Sequence, residues 1–242
     1  KWSLWEIVGF LEKFGISAAN CKKVYEIFGK DAIAVIETNP YVLLDITYGV
    51  DFKKIDKMAL DLGLANNSDS RIESAIKYSL AIATNNGNTC VEKQNLITFV
   101  QNLLDVEPQY IENNLINLKA RQIIAIENVE QMEWVYLNSL YCCEKNIAEK
   151  LITLKQSKNI KKIKDFEKKF KEEEKRNDIA LSQKQKEAIK TVNENNVCII
   201  TGGPGTGKTT IIKTIIDLYK SKGKKTVLCA PTGRAAKRMT EA

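Results

Sequence analysis

The chain has 242 residues, a length that allows one to three domains and a substantial buried core. Hydrophobic residues make up 44% and charged residues 28%, as in an ordinary globular protein, and no apolar run reaches the ~20 residues that span a bilayer. The 37 basic and 30 acidic side chains give a net charge of +7, which favours a polyanionic partner without establishing one. Because histidine is absent, Ser-His-Asp and Cys-His catalysis and histidine-ligated metal sites are excluded. The six cysteines form no C-x-x-C pair, so we expect reduced thiols and a cytoplasmic protein without membrane contact.

Residues 1–64 predict two successive helix–hairpin–helix units. Apolar side chains recur at helical spacing on both sides of a hairpin that contains Gly15, and the same pattern returns around Gly49. The tandem resembles helix-hairpin-helix modules, and that resemblance implies sequence-independent contact with DNA phosphates through Gly15, Gly49, Lys53 and Lys54. Asp51 is an anion where a phosphate would lie. Two interpretations therefore stay open, namely DNA contact and a compact helical spacer that orients other domains.

Residues 65–155 predict a helical domain with the outline of a winged helix. Helical stripes and then two short strands follow one another at 70–85, 96–104, 111–118, 122–126 and 132–137, with a turn at 127–130. A DNA reader would present basic side chains on its second helix. The outer face predicted for that helix offers instead Glu112, Asn113, Asn114 and Asn117. We expect a packing or protein-contact role here rather than groove recognition.

A helix near 138–154 leads into a lysine-dense segment, 156–178, which we interpret as a helical linker. Apolar side chains still recur there at three- and four-residue steps. Because charge runs usually mark exposed faces, we favour a solvated connector over a dedicated DNA-binding patch.

From residue 179 onward the pattern changes to alternating strands and helices, and a phosphate-binding motif lies at its centre. An apolar run at 197–201 enters G-x-x-x-x-G-K-T, and isoleucines at helical spacing follow. The glycines bring backbone amides against phosphate oxygens at the positive end of that helix. As the catalytic pair, Lys208 is expected on the β- and γ-phosphates and Thr209 on Mg²⁺. The predicted ATP site consists of Gly202, Gly203, Pro204, Gly205, Thr206, Gly207, Lys208, Thr209 and Thr210.

Two further features flank this loop. Gln185 has capping-box spacing with Ser182, but its place ahead of a P-loop strand favours an amide that pairs with the adenine edge. A second apolar run at 226–230 completes a predicted β–α–β unit with parallel strands. Ligands gather at the carboxyl ends of such strands, so we expect the turn after this run to contact a DNA backbone. Its residues are Pro231, Thr232, Gly233 and Arg234.

Three stretches together closely resemble the start of the RecD/TraA-type superfamily 1 DNA helicases, the family of the exodeoxyribonuclease V alpha subunit. They are L-S-x-x-Q-x-x-A-I, T-G-G-P-G-T-G-K-T-T and A-P-T-G-R-A-A-K-R-M. The resemblance implies a multidomain chain, mostly α in its N-terminal part and followed by the start of an α/β RecA-like P-loop domain. By the same resemblance Gln185 is the Q-motif residue, Lys208 and Thr209 are the Walker A pair, and residues 231–233 are the single-strand-contacting motif Ia.

The same resemblance implies ATP-driven 5′→3′ translocation on single-stranded DNA and duplex unwinding in repair or recombination. It also allows partners within a nuclease–helicase complex. Residues 179–242 are too few for a complete α/β domain, and no strand ending in Asp-Glu follows the P-loop. We therefore expect the N-terminal part of a longer helicase, which binds nucleotide without turning it over. An AAA+ DNA-repair ATPase and a non-catalytic DNA-binding or protein-docking scaffold remain alternatives, while the lack of N-K-x-D disfavours a GTPase.

Overall fold

A computed structural model describes residues 4–47, 49–157, 162–163, 165–176 and 180–241. The chain forms two compact units, Lys1–Glu144 and Lys145–Ala242. No helix within the described ranges is both long enough and apolar enough to cross a membrane. The helices are α1 (Leu4–Glu12), α2 (Ala18–Phe28), α3 (Ala32–Thr38), α4 (Val42–Ile46), α5 (Phe52–Asp61), α6 (Asp69–Asn85), α7 (Lys93–Leu104), α8 (Pro108–Ala120), α9 (Asn138–Gln156), α10 (Phe166–Arg176), α11 (Gln183–Glu194), α12 (Lys208–Lys220) and α13 (Gly233–Glu241). The strands are β1 (Cys90–Glu92), β2 (Ile124–Val129) and β3 (Met132–Leu137).

The first unit begins with the two predicted helix–hairpin–helix pairs, which the structure confirms as α1–α2 and α4–α5. Each hairpin contains a glycine with positive φ, 67° at Gly15 and 68° at Gly49, a conformation that side chains with a Cβ rarely adopt. The apolar stripes of the helices are buried, with Leu11, Val24 and Ile55 all fully inaccessible to solvent. Helical periodicity in the sequence therefore located this part of the core correctly.

The second half of the first unit packs three helices against a small antiparallel sheet. The elements follow one another as α6, β1, α7, α8, β2 and β3, and the sheet order is β1-β3-β2. This arrangement contains the winged-helix outline of two helices and a β-hairpin. The strand β1 was not predicted, because three residues are too few to show a period. Its residues Cys90, Val91 and Glu92 pair with Tyr136, Val135 and Trp134.

The predicted turn of the β-hairpin is wrong by several residues. The sequence placed it at 127–130, whereas β2 continues to Val129, which pairs with Met132. Glu130 and Gln131 form the two-residue turn, with φ angles of 51° and 68°. Two successive positive φ angles match the right-handed twist of a hairpin. Polar residues occupy the end of β2 because this part of the strand is exposed, so composition alone could not place the turn.

The outer face predicted for α8 also requires correction. Asn114 is 1% exposed and lies in the buried stripe with Ile111, Leu115 and Leu118. Its amide group donates to Asp69 Oδ1 at 3.0 Å and to the Tyr110 carbonyl at 2.9 Å. A polar residue is accepted in the stripe because its donors are satisfied there.

A buried ionic network joins the hairpin pairs to the winged-helix half. Arg71 on α6 is 4% exposed and forms a bidentate pair with Asp56 on α5, at 2.8 and 2.9 Å. The remaining terminal nitrogen donates to both oxygens of Asn66 and to the carbonyl of Leu104 at the end of α7. Tyr41 donates to Asp56 at 2.6 Å. Burial and this hydrogen bond raise the pKa of Tyr41 above its usual value, and the bond to Asp56 raises the pKa of Arg71.

The second unit has its own smaller core, formed by Ile163, Phe170, Leu181, Ile189, Ile211 and Leu218. Two of these residues, Ile163 and Phe170, belong to the segment that was predicted to be a solvated connector, and that prediction is wrong for them. The described lysines of the segment are exposed or half-buried, as the charge run indicated. The segment is amphipathic, so one side of α10 packs on the core while its charged side faces solvent.

The apolar runs at 197–201 and 226–230 are not strands in the described structure, which corrects the prediction of buried parallel strands. Ile199 is 88% exposed and Val227 is 74% exposed. Parallel strands are stable only within a sheet whose two faces are covered. Within the described residues of the second unit, no strand lies beside either of these two runs. Neither run therefore forms the ladder of backbone hydrogen bonds that a sheet requires. The helices α11 and α12 that flank the first run are present as predicted.

Candidate functional site

The P-loop residues lie together at the start of α12. Gly207 is the residue before the first helical turn and has a left-handed conformation, with φ 80° and ψ 23°, and Gly205 has a φ of 75°. The loop from Gly202 to Thr206 is exposed. The first amides of α12 have no partners within the helix and carry the positive end of its dipole. The loop therefore presents donors and positive charge to solvent, which suits a polyphosphate.

Lys208 folds its side chain back over this loop. Its ammonium donates to the carbonyls of Gly202 and Gly203 at 2.5 and 2.6 Å, and it lies 3.4 Å from the Thr206 hydroxyl. That hydroxyl donates to the Gly203 carbonyl at 2.9 Å. A Cβ on Gly202 would come within 2.7 Å of the Thr206 hydroxyl, so a larger residue there would displace Thr206. The Lys208 ammonium, which is expected to pair with phosphate oxygens, thus already lies within the loop.

Gln185 contacts the same loop from the first turn of α11. Its side-chain oxygen accepts the Ser182 backbone N–H at 2.8 Å, and the Ser182 hydroxyl accepts the Gln185 N–H at 3.4 Å, so the capping box is formed. Its side-chain nitrogen also donates to the Thr206 carbonyl at 3.2 Å. Sequence reasoning missed this last contact, since nothing in the spacing of residues 21 positions apart indicates it.

The turn at 231–234 begins α13, as the sequence predicted. The Thr232 hydroxyl accepts the backbone N–H of Ala235 at 3.3 Å, and its carbonyl accepts that of Ala236 at 2.9 Å. Pro231, Thr232, Gly233 and Arg234 are all exposed. These hydrogen bonds of Thr232 are local to the start of α13.

In the first unit the structure brings the two predicted hairpins together through Lys54. Its ammonium donates to the Gly15 carbonyl at 2.9 Å, which links the start of α5 to the first hairpin. Lys53 beside it and Gly49 are exposed. Asp51 is also exposed and lies 3.5 Å from the Tyr78 hydroxyl; burial, and then the charge of Asp51, raise the pKa of Tyr78. The hairpins thus form one edge that carries Lys53 and Lys54, with an acidic residue inside it.

The donor set of the P-loop fits a magnesium nucleotide. Among the described residues no group of three or more Cys, Asp or Glu side chains is arranged to hold a metal ion. Mg²⁺ is commonly held by one or two protein ligands together with substrate phosphates and water. The Thr209 hydroxyl, in the first turn of α12, is the protein oxygen that would serve in such an arrangement.

Two family models match the chain. Residues 3–90 match the model of the "ATP-dependent RecD2 DNA helicase HHH domain", and residues 185–242 match a model described as "AAA domain". The first match covers both hairpin pairs and extends through α6 into β1. The second begins at Gln185 and includes the P-loop and the turn at 231–234.

Three curated relatives extend these matches. The chain is 26% identical over 241 residues to the "ATP-dependent RecD2 DNA helicase" of Deinococcus radiodurans, an alignment that covers 96% of the chain and 33% of the relative. It is 26% identical to the "RecBCD enzyme subunit RecD" of Mycolicibacterium smegmatis, over 74% of the chain and 32% of the relative. A 60-residue stretch, 24% of the chain and 10% of the relative, is 53% identical to the RecD subunit of Buchnera aphidicola subsp. Schizaphis graminum.

The chain spans about a third of the length of the Deinococcus and Mycolicibacterium relatives. The helix-hairpin-helix match lies in the first unit and the P-loop match lies in the second, in the order in which the sequence motifs predicted them. With matches to a RecD2 helix-hairpin-helix domain and to an AAA domain, and with RecD2 and RecD relatives, the chain resembles the N-terminal portion of a RecD-like helicase.

Proposed function

We propose that the chain binds ATP with Mg²⁺ through residues 202–210, in a protein that uses ATP hydrolysis to move 5′→3′ along single-stranded DNA and to unwind duplex. The observation that carries the proposal is the geometry of the P-loop. A left-handed glycine opens α12, and the ammonium of Lys208 lies within the exposed loop before it. In this arrangement the loop amides hold the phosphates, Lys208 pairs with the β- and γ-phosphates, and Thr209 ligates Mg²⁺.

Lys208→Ala tests the nucleotide site directly. Loss of a charge-assisted contact costs roughly 1.5–3 kcal/mol, so we expect ATP affinity to fall by about 10- to 100-fold. Titration of a fluorescent ATP analogue measures the change, and an unaltered helical circular dichroism spectrum shows that the variant is folded. Equal affinity of wild type and variant would instead favour a scaffold whose P-loop has no nucleotide function.

Thr209→Ala separates metal binding from phosphate binding. Wild type should bind ATP more tightly with Mg²⁺ than with EDTA, whereas the variant should lose most of this difference, because its metal ligand is gone. Thr210 lies next to it, and Thr210→Ala provides a control with the same chemical change. A magnesium effect that survives in Thr209→Ala would contradict the assignment of the metal ligand.

The DNA-binding proposal rests on two separate surfaces. The edge formed by Gly15, Gly49, Lys53 and Lys54 offers backbone groups and ammonium groups to phosphates, without a means of reading bases. The turn at 231–234 offers an exposed Arg234 at the start of α13. Both surfaces suit sequence-independent contact with single-stranded DNA or duplex junctions.

ATP turnover and unwinding are proposed for a protein that also contains counterparts of the remaining two thirds of the Deinococcus relative. For the chain of 242 residues we propose nucleotide binding without turnover, since no carboxylate that would position the attacking water has been identified in it. DNA-stimulated phosphate release by the purified chain would contradict this. The RecD subunits of the relatives are named as parts of a RecBCD enzyme, so a nuclease–helicase complex is the class of partner to test by co-purification.

A further inference from the structure

The side-chain amide of Gln185 is held by the protein at both ends. Its oxygen accepts the Ser182 N–H, and its nitrogen donates to the Thr206 carbonyl. We infer that Gln185 is a positioning residue, which orients the P-loop through Thr206 and so supports phosphate binding whatever base the nucleotide carries. This inference rests on the proposed nucleotide site and adds a base-independent role for Gln185 within it.

The peptide unit between Thr206 and Gly207 explains how such a contact acts on phosphates. In a trans peptide the C=O and the following N–H point in opposite directions, and this peptide is trans, since the described chain contains no cis bond. When Gln185 holds the Thr206 carbonyl, the Gly207 N–H therefore points away from Gln185. That N–H immediately precedes α12, among the amides expected to bind phosphate.

The side chain of Thr206 also bonds to the loop. The Thr206 hydroxyl donates to the Gly203 carbonyl, and Lys208 donates to that carbonyl too. Gln185, Thr206, Gly203 and Lys208 thus form a continuous set of contacts from α11 across the loop. Loss of the Gln185 amide removes the hydrogen bond that joins the Thr206 carbonyl to α11.

Gly207 provides the space that Gln185 occupies. A Cβ at position 207 would lie 2.4 Å from the Gln185 side-chain nitrogen, closer than nonbonded atoms approach. Gly207 is therefore favoured for its φ of 80°, and a side chain there would also displace the amide of Gln185. This packing shows that Gln185 and the loop fit each other closely before any base is considered.

The test compares Gln185→Met with Ser182→Ala in the 242-residue chain. Met has a similar shape but can neither accept from Ser182 nor donate to Thr206, whereas Ser182→Ala weakens the same helix cap and leaves the Gln185 amide intact. Affinities are measured by calorimetry for Mg-ATP, Mg-GTP and inorganic triphosphate, the last of which has no base. Melting of both variants by circular dichroism shows how much each one destabilises the helix.

We expect Gln185→Met to lower affinity for all three ligands by the same factor, roughly 3- to 10-fold for a lost hydrogen bond, and Ser182→Ala to change it less than about twofold. A loss confined to ATP would overturn the inference in favour of adenine reading. An equal loss in Ser182→Ala would overturn it in favour of helix capping alone, and unchanged binding in Gln185→Met would overturn it outright.

Lys208→Ala distinguishes failure of this inference from failure of the proposed site. Suppose that wild type binds triphosphate, that Lys208→Ala does not, and that Gln185→Met binds like wild type. The proposed nucleotide site is then supported, and the positioning role of Gln185 is refuted. If wild type binds none of the three ligands, the nucleotide site and this inference fall together.

Discussion

A similar apolar side chain can be buried in the first unit of the chain and exposed in the second. In the first unit Ile55 is fully buried among helices that are neighbours in sequence, whereas in the second Ile199 is 88% exposed beside the P-loop. A helix satisfies its own backbone hydrogen bonds and needs only one apolar neighbour to pack against. A strand needs at least one neighbouring strand for its backbone hydrogen bonds, and parallel strands also need both faces of their sheet covered. Apolar periodicity therefore predicts burial more reliably for the helical unit than for the β segments.

The polar groups of the two units also differ in burial, since the Arg71 network of the first unit is more buried than the P-loop of the second. In the first unit Arg71 is buried with five hydrogen bonds to Asp56, Asn66 and Leu104. In the second unit the polar groups of the P-loop are exposed or half-buried and bond mainly within the loop. The first arrangement fixes a structure, and the second leaves donors that a ligand can use.

The largest effect is expected for Arg71→Ala. Removing one partner of a buried pair leaves Asp56 without its counter-charge, so we expect the first unit to lose about 3–5 kcal/mol of unfolding free energy. Tryptophan fluorescence in urea measures this unit selectively, because the three tryptophans of the sequence, at positions 2, 5 and 134, all fall within the range Lys1–Glu144. Arg121→Ala is the control: Arg121 also pairs with an acid, Glu73, but its side chain is 52% exposed, and a loss below about 1 kcal/mol is expected. Similar losses in the two variants would contradict the role of the buried network.

A matched pair of Ile→Ala substitutions tests the contrast in apolar burial. Ile55→Ala should destabilise the first unit by about 2–5 kcal/mol, because it leaves a cavity. Ile199→Ala should cost less than about 0.5 kcal/mol in the second unit, since the side chain already meets solvent. Hydrogen exchange of the core amides of each unit provides the measurement. A large cost at Ile199 would mean that this side chain is buried in solution.

Alkaline pH should weaken the first unit through Tyr41. Its pKa in the folded chain is raised above the ordinary value of 10.0, so its contribution to stability is complete below pH 10 and is lost as pH rises beyond that value. Tyr41→Phe lacks this titration. Urea unfolding followed by tryptophan fluorescence at pH 9, 10 and 11 should therefore show a steeper loss in wild type than in the variant. Parallel losses would rule out a contribution from Tyr41.

The smallest effect concerns DNA binding by the hairpin edge. Lys54→Ala should weaken binding of a mixed-sequence duplex by about fivefold, or roughly 1 kcal/mol, and should reduce the slope of log affinity against log salt by about 1. Lys119→Ala, which removes the same charge from the end of α8, should change both quantities less. Anisotropy titrations at several salt concentrations measure them. Equal effects of the two variants would favour the interpretation of the hairpins as a spacer.

The sequence was most informative where a short segment determines its own structure. The helices of the hairpin pairs, the capping box of Ser182 and the glycines of the P-loop all follow from neighbours within one or two turns. What it missed depends on contacts between distant residues. The burial of Asn114 depends on Asp69, and the packing of Phe170 depends on α12. The contacts of Lys54 with Gly15 and of Gln185 with Thr206 join segments whose separation in sequence carries no pattern.

The position of Arg71 also has a mechanical consequence. The guanidinium of Arg71 hydrogen-bonds to Asp56 on α5, to Asn66 in the following loop and to Leu104 at the end of α7. A force applied to the hairpin edge therefore passes through these bonds into the winged-helix half. A load placed on that edge would thus reach α6 and α7 through Asp56 and Arg71 as well as along the connecting chain at 62–68.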